Sequence, residues 1–207
     1  MAHRRAYDLA PLLVAAAFFA AVAIAAWFEG KPLWTAYNLV GAALALLLAL
    51  LVRGLDVPLP RAAAAVCFAT GVLHYVGGSL GGHFGIAGVN GLYAVFPWWD
   101  RVTHFAGAAG VAALAFALAR AVAAKRAWVV PRGFLALFAF TTALAVGVGV
   151  ELFEFAAWTF FATIDQGFYS NTMMDLYDDV AGALFGAALA HALARDAPLP
   201  SQAAAPE

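Results

Sequence analysis

The sequence predicts an all-α membrane protein, a bundle of six transmembrane helices. Hydrophobic residues make up 65% of the 207-residue chain and charged residues only 11%, whereas soluble domains average about 25% charged residues. The mean hydropathy is +0.87, and most of the chain falls in apolar stretches near the ~20 residues that cross a bilayer. The expected unit is a single polytopic domain, residues 1–195.

Six apolar segments are separated by stretches that hold most of the prolines and charges, and each segment is long enough to span a membrane. The C-terminal residues 196–207 contain three prolines among small residues and are expected to form a disordered tail. The predicted spans are residues 9–28, 34–52, 62–79, 101–124, 133–161 and 173–194.

The first three spans carry little chemistry. The first follows Arg4 and Arg5, and its apolar length favours an uncleaved helix over a signal peptide. The second begins at Trp34, and the third contains Cys67, the single cysteine, which can form no disulfide within the chain. The segment Gly81–Asp100 is too broken for a span, and its aromatic residues predict a lid or lipid-contacting loop on the outer surface.

The distribution of basic residues predicts the orientation. Only Lys31 and Arg101 fall on one side of the predicted spans, and nine basic residues fall on the other, so both termini are expected in the cytoplasm. No continuous basic patch is present that could follow a phosphate backbone, which argues against a nucleic-acid role. The nine basic residues are Arg4, Arg5, Arg53, Arg61, Arg120, Lys125, Arg126, Arg132 and Arg195.

Five carboxylates and one histidine lie inside the last three spans, where a charged side chain costs ~2.5–3.5 kcal/mol on insertion scales. Counting ~1.5 Å per residue from the interfacial aromatics places His104, Glu151 and Asp179 at one depth, roughly 7–10 Å inside the outer interface. Asn38 and His74 are weaker candidates for the same layer. The six residues are His104, Glu151, Glu154, Asp175, Asp178 and Asp179.

Helical phase predicts that these polar groups converge. Asp175, Asp179, Gly182 and Gly186 fall on one stripe of the sixth span. The small-xxx-small spacing of the two glycines permits close approach of a neighbouring helix. The acidic face is therefore expected to be the packed face.

Five ionised carboxylates cannot share one layer unless protons or cations neutralise them. Protons would suit coupled transport or acid/base catalysis, and cations would suit a metal site. Carboxylates alone favour Mg²⁺, Mn²⁺ or Ca²⁺, and His104 adds Zn²⁺ or iron. The expected catalytic residues are Glu151, Glu154 and His104; the expected metal ligands are His104, Glu151, Glu154, Asp175, Asp178 and Asp179, followed by Asp100, Arg101 and His74 as further candidates.

Structural roles are the alternative for several of these residues. Asp100 fits a helix N-cap, and Thr172-x-x-Asp175 fits a capping box at the start of the sixth span. Arg101 could pair with Asp100 or Asp178 and do nothing else. The repeated Glu-x-x-His motif of bundle di-iron proteins is absent, and so are the nucleophile elbow, the P-loop and the dinucleotide fingerprint.

Three motifs in the last three spans resemble those of YjdF-type bacterial inner-membrane proteins and, more distantly, the VanZ-like family. The motifs are Trp99-Asp100-Arg101-Val102-Thr103-His104-Phe105, Gly149-Val150-Glu151-Leu152-Phe153-Glu154, and the run from Asn171 to Ala183 that contains Asp175 and Asp179. The resemblance covers residues 98–190 and implies a multipass membrane protein with motif positions at Asp100, His104, Glu151, Glu154, Asp175 and Asp179. The adjacent acid Asp178 departs from the pattern and leaves open which aspartate faces inward.

These observations favour a metal-dependent enzyme that acts on a lipid or cell-envelope precursor. Two alternatives stay open: a proton- or ion-coupled transporter, and a non-catalytic protein whose polar layer specifies helix packing. A divalent ion (Mg²⁺, Mn²⁺ or Zn²⁺) is the expected cofactor, and membrane lipids are the expected partners.

Overall fold

A computed structural model describes residues 9–57, 61–80, 91–96, 98–161 and 169–194. These residues form seven α-helices, and a short π-helix, Val76–Leu80, follows the third of them. The predicted tail 196–207 and most of the predicted lid lie outside the described residues. The helices are α1 (Ala10–Phe28), α2 (Pro32–Leu55), α3 (Arg61–Tyr75), α4 (Gly91–Val95), α5 (Trp99–Lys125), α6 (Arg132–Phe161) and α7 (Tyr169–Leu193).

The all-α prediction is confirmed, and each of the six predicted spans corresponds to a helix. Within the described residues, four segments are long and apolar enough to cross a membrane: Ala10–Phe28, Trp34–Leu55, Trp99–Lys125 and Arg132–Phe160. The apolar segment Ala64–Gly78 is shorter. That α3 and α7 also cross the membrane stays a prediction. The cytoplasmic position of both termini, which depends on it, stays a prediction too.

Local sequence explains where several helices begin. A proline lies in the first turn of both α1 and α2, where its missing N–H would have no helical partner in any case. The N-cap of α5 is Trp98, which makes no side-chain capping bond. The N-cap role expected for Asp100 was therefore wrong, because Asp100 lies inside the first turn. Thr172 likewise lies within α7, which includes Tyr169, so the predicted capping box does not start that helix.

The helices pack as two groups. Helix α5 makes its most extensive contact with α7 and packs also on α6 and α3, and α6 packs on α7. Alanines dominate the core of this α5–α6–α7 group, for example Ala112, Ala139 and Ala183, which are fully buried. Helices α1 and α2 form the second group. Small core residues bring the helix backbones close together, which is typical of helix packing in membranes.

Two glycines of α7 meet the backbone of α5 directly. A Cβ atom on Gly182 would collide with the carbonyl oxygen of Phe105, and one on Gly186 would collide with the carbonyl oxygen of Ala109. The predicted small-xxx-small contact of the sixth span is thus confirmed, and it fixes α7 against the helix that carries His104.

Candidate functional site

His104 of α5 lies at the centre of a buried polar cluster formed by α5, α6 and α7. Its Nδ1 atom lies 3.3 Å from Oδ1 of Asp179 on α7. Its Nε2 atom lies 3.7 Å from Oε1 of Glu151 on α6 and 3.8 Å from Oδ1 of Asp100, one turn earlier on α5. The predicted convergence of three helices on His104 is therefore confirmed.

Asp175 completes the cluster and is almost fully buried, with 1% of its surface exposed. Asp100, His104 and Asp175 each offer one ligand atom, and these three atoms lie within 4.8 Å of one another. Asn171, one turn before Asp175, donates from Nδ2 to Oδ2 of Asp175 at 2.6 Å and to Oδ2 of Asp100 at 3.3 Å. We call Asp100, His104, Glu151, Asp175 and Asp179 the acidic pocket.

Glycine makes room for the pocket on α6. A Cβ atom on Gly147, one turn before Glu151, would collide with the carboxylate of Asp179. On α7, Asp175 and Asp179 share the helix face that also carries Gly182, because residues three and four apart lie on one side of an α-helix. The same stripe therefore supplies both the acids and the close helix contact that buries them.

Several oxygen atoms of the pocket have no hydrogen-bond partner within the described residues. These atoms are both carboxylate oxygens of Glu151 and Oδ2 of Asp179. Glu151 is 5% exposed and Asp179 is 3% exposed. Buried polar groups are nearly always hydrogen-bonded in folded proteins, and the polar neighbours of Glu151 are the side chain of Thr172 and Nε2 of His104.

The two neighbouring aspartates of α7 point in different directions. Asp179 faces His104, whereas Asp178 forms a bidentate ion pair with Arg101, with its oxygens 2.7 and 3.1 Å from Nε and Nη2. Arg101 is half exposed. Successive residues of an α-helix point about 100° apart, so one aspartate of the pair lies in the pocket and the other at its rim. The expected Arg101–Asp178 pair is present.

Glu154 lies one turn beyond Glu151 but makes a different contact. Its Oε1 atom accepts a hydrogen bond of 3.0 Å from the hydroxyl group of Tyr37 on α2. The structure therefore places Glu154 between the two helix groups rather than in the acidic pocket. Asn38, also on α2, donates to the carbonyl oxygen of Trp34 at 2.7 Å, within its own helix.

His74 lies in an aromatic cluster beside the pocket. Its Nδ1 atom lies 2.8 Å from the hydroxyl oxygen of Tyr93 on α4, and its ring packs against Trp34 and Tyr37. The Tyr93 hydroxyl also donates to Oγ1 of Thr103 at 3.3 Å. Burial raises the pKa of Tyr93 above its usual range, so this phenol stays protonated. His74 is thus connected to α5 through Tyr93 and Thr103. Among the described residues, it forms no hydrogen bond with a residue of the acidic pocket.

Four residues with clear roles in this arrangement were missed by the sequence analysis. Asn171 ties together two pocket aspartates, Tyr37 holds Glu154, and Tyr93 and Thr103 connect His74 with α5. Thr103 donates to the backbone carbonyl of Asp100 at 2.7 Å. Only Asn171 had a usable signal, because it lies four residues before Asp175 and therefore on the same helix face.

No curated protein and no solved structure matches the chain. A family model described as a predicted membrane protein, DUF2238, matches residues 10–196 and thus includes every residue of the acidic pocket. The chain belongs to this DUF2238 family of membrane proteins.

Proposed function

We propose that the acidic pocket binds a divalent metal ion and that the protein is a metal-dependent membrane enzyme acting on a lipid or cell-envelope precursor. The observation that carries the proposal is the carboxylate of Glu151. It is 5% exposed, and no donor in the described part of the chain makes a well-aligned hydrogen bond to either oxygen; its polar neighbours are the side chain of Thr172 and Nε2 of His104, which lies 3.7 Å away. A buried carboxylate with such incomplete hydrogen bonding is costly, and a bound cation would lower that cost.

The distances around His104 support a cation better than a proton. A protonated carboxyl group stabilises its neighbour through a hydrogen bond of about 2.5–3.0 Å. The imidazole Nε2 lies 3.7 and 3.8 Å from the nearest oxygens of Glu151 and Asp100, which is too far for such a bond. Two ligand atoms on one tetrahedral zinc ion lie roughly 3.4 Å apart, given bond lengths near 2.1 Å. The observed distances therefore leave room for an ion between these side chains.

The chain also contains side chains that could orient the metal-binding residues through hydrogen bonds. A histidine ligand usually donates its second ring nitrogen to a carboxylate, which fixes the tautomer. Asp179 takes this position against Nδ1 of His104 and directs Nε2 towards the other carboxylates. Asn171 likewise orients Asp100 and Asp175, because its Nδ2 donates a hydrogen bond to one carboxylate oxygen of each. Imidazole and carboxylate donors together suit Zn²⁺ or Mn²⁺, and the carboxylates alone suit Mg²⁺.

This donor set gives each residue a role. Asp100, His104 and Asp175 would hold the ion, and a divalent ion bound there would supply activation of water for hydrolysis at neutral pH. Glu151, with Oε1 3.7 Å from Nε2 of His104, would be a further ligand. A lipid headgroup is the expected target, because the pocket is predicted to lie in the outer half of the bundle.

The resemblance of the three motifs to YjdF-type proteins of the bacterial inner membrane supports the same residues, since it includes Asp100, His104, Glu151, Asp175 and Asp179. The motifs lie in α5, α6 and α7, and these helices supply the whole pocket. The proposal therefore places the active centre in the C-terminal half of the chain, in a bacterial cytoplasmic membrane.

Elemental analysis of the purified protein in detergent tests the proposal. We expect about one metal ion per chain after incubation with Mg²⁺, Mn²⁺ or Zn²⁺, and at least a tenfold loss of bound metal in Glu151→Gln. Glu154→Gln is the matched control, because Glu154 lies on the same helix but bonds Tyr37, and it should retain the ion. Monodisperse wild-type protein that binds none of the three metals would refute the metal site, and so would a Glu151→Gln variant that binds as much as the wild type.

A further inference from the structure

A shallow groove of about 310 Å³ lies on the outside of the bundle, next to the acidic pocket. It follows the contact between α5 and α7 and is charged at one end and apolar along its length. Its lining consists of Trp98, Arg101, Val102, Phe105, Ala106 and Asp178. We propose that this groove binds a phospholipid with a primary-amine headgroup, of the phosphatidylethanolamine type, and presents that headgroup to the pocket.

The order of residues along α5 matches the polarity of a lipid. Arg101 lies in the first turn, beside Trp98, and Phe105 and Ala106 lie one turn further along the helix. Val102 and Phe105 expose more than a third of their surface, and Trp98 exposes about half. An acyl chain would lie on these apolar residues, and the headgroup would meet Arg101 and Asp178. Tryptophan at the charged end is typical of the membrane interface.

The Arg101–Asp178 ion pair can bind both the phosphate and the ammonium group of such a headgroup. A guanidinium group has five N–H donors, and in the described residues Asp178 takes two of them, one on Nε and one on Nη2. The remaining donors of Arg101 suit a phosphate, which arginine binds in a bidentate manner. The carboxylate of Asp178 can accept further hydrogen bonds, and an ammonium group supplies them.

The charged residues beside the groove favour phosphatidylethanolamine over phosphatidylglycerol and phosphatidylcholine. Asp178 and the partly exposed Asp100 would repel a lipid with net negative charge, such as phosphatidylglycerol. A choline headgroup carries no N–H and cannot donate to Asp178. An ethanolamine headgroup is net neutral and provides one group for each member of the ion pair.

The groove and the pocket are neighbours along two helices. Arg101 follows Asp100 on α5, and Asp178 precedes Asp179 on α7, so a headgroup held by the ion pair would lie beside the pocket. The proposal deepens the proposed function by naming the substrate class, and its substrate role rests on that function. Lipid binding and metal binding are measured separately, so either can fail while the other holds.

Native mass spectrometry of the delipidated protein, with equal concentrations of the three lipids, tests the inference. We expect one bound phosphatidylethanolamine and at least a tenfold preference over phosphatidylcholine and phosphatidylglycerol. Arg101→Gln removes the phosphate contact and Val102→Trp fills the groove, so both should lose that preference. Lys31→Gln is the control, since Lys31 forms an ion pair with Glu29 and does not line the groove. Asp178→Asn should bind phosphatidylethanolamine and phosphatidylcholine equally.

Equal binding of the three lipids by the wild type would overturn the inference, as would an undiminished preference in both Arg101→Gln and Val102→Trp. Bound metal is determined on the same samples by elemental analysis and should be unchanged in these variants. A wild type that binds metal but none of the three lipids would refute the lipid site alone. A wild type that binds phosphatidylethanolamine selectively but takes up none of Mg²⁺, Mn²⁺ and Zn²⁺ would refute the metal site alone.

Discussion

Replacing Gly186 by alanine should destabilise the protein, because this glycine lets α7 touch the backbone of α5. The added Cβ would meet the carbonyl oxygen, the carbonyl carbon and the Cα atom of Ala109, all closer than 3 Å. Backbone atoms cannot move aside as a flexible side chain can. The two helices must separate or tilt, and overpacking of this kind typically costs about 1–3 kcal/mol.

Gly107→Ala is the matched control for this substitution. Gly107 lies in the middle of α5, and a Cβ atom there meets nothing within 4 Å. Both substitutions replace glycine by alanine inside a helix, so the gain in helix propensity of about 1 kcal/mol is common to both. The difference between the two variants therefore isolates the helix contact, and Gly186→Ala should be the less stable by about 1–3 kcal/mol.

Thermal unfolding in detergent, followed by circular dichroism, measures this difference. For a chain of this length, 1 kcal/mol corresponds to about 2–4 °C in Tm, so Gly186→Ala should unfold about 2–12 °C below Gly107→Ala. Equal Tm values for the two variants would refute the close contact of α5 and α7. They would also remove the reason for expecting His104 and Asp179 to be held together.

Two further substitutions test the neighbours of the pocket. Asn171→Ala removes the amide that bonds Asp100 and Asp175 and should weaken metal binding about 10–100-fold, as measured by competition with a chelator; unchanged affinity would contradict the orienting role. Tyr37→Phe removes the donor to Glu154 and should cost about 1–3 kcal/mol of stability while the metal content stays that of the wild type. An unchanged Tm would show that this hydrogen bond contributes nothing to the contact between the two helix groups.

The positions of the pocket residues could be predicted because regular helices carry them. The spacing of Asp175 and Asp179 already placed both on one face, and counting residues from the aromatics placed His104 and Glu151 at a similar depth. The glycines of α7 predicted which face would be packed. These inferences need only helix geometry, which hardly varies between proteins.

Contacts between distant parts of the chain could not be predicted in this way. Tyr93 reaches His74 from a five-residue helix in a region of irregular sequence, and no periodic pattern marks so short an element. For Asp100, an N-cap role was one alternative because that residue type is common there, but the helix begins two residues earlier and the carboxylate of Asp100 lies near His104.

Glu151 and Glu154 show why helical spacing alone did not separate their roles. The two side chains are three residues apart, so they lie on the same side of α6 and differ in direction by about 60°. That difference turns Glu151 towards His104, between α5 and α7, and turns Glu154 towards Tyr37 on α2. Helices α5, α6 and α7 supply every residue of the acidic pocket, and Tyr37 of α2 contacts Glu154 one turn away from it. Two acids one turn apart on α6 thus have different roles: Glu151 is assigned to the metal site, and Glu154 joins the two helix groups.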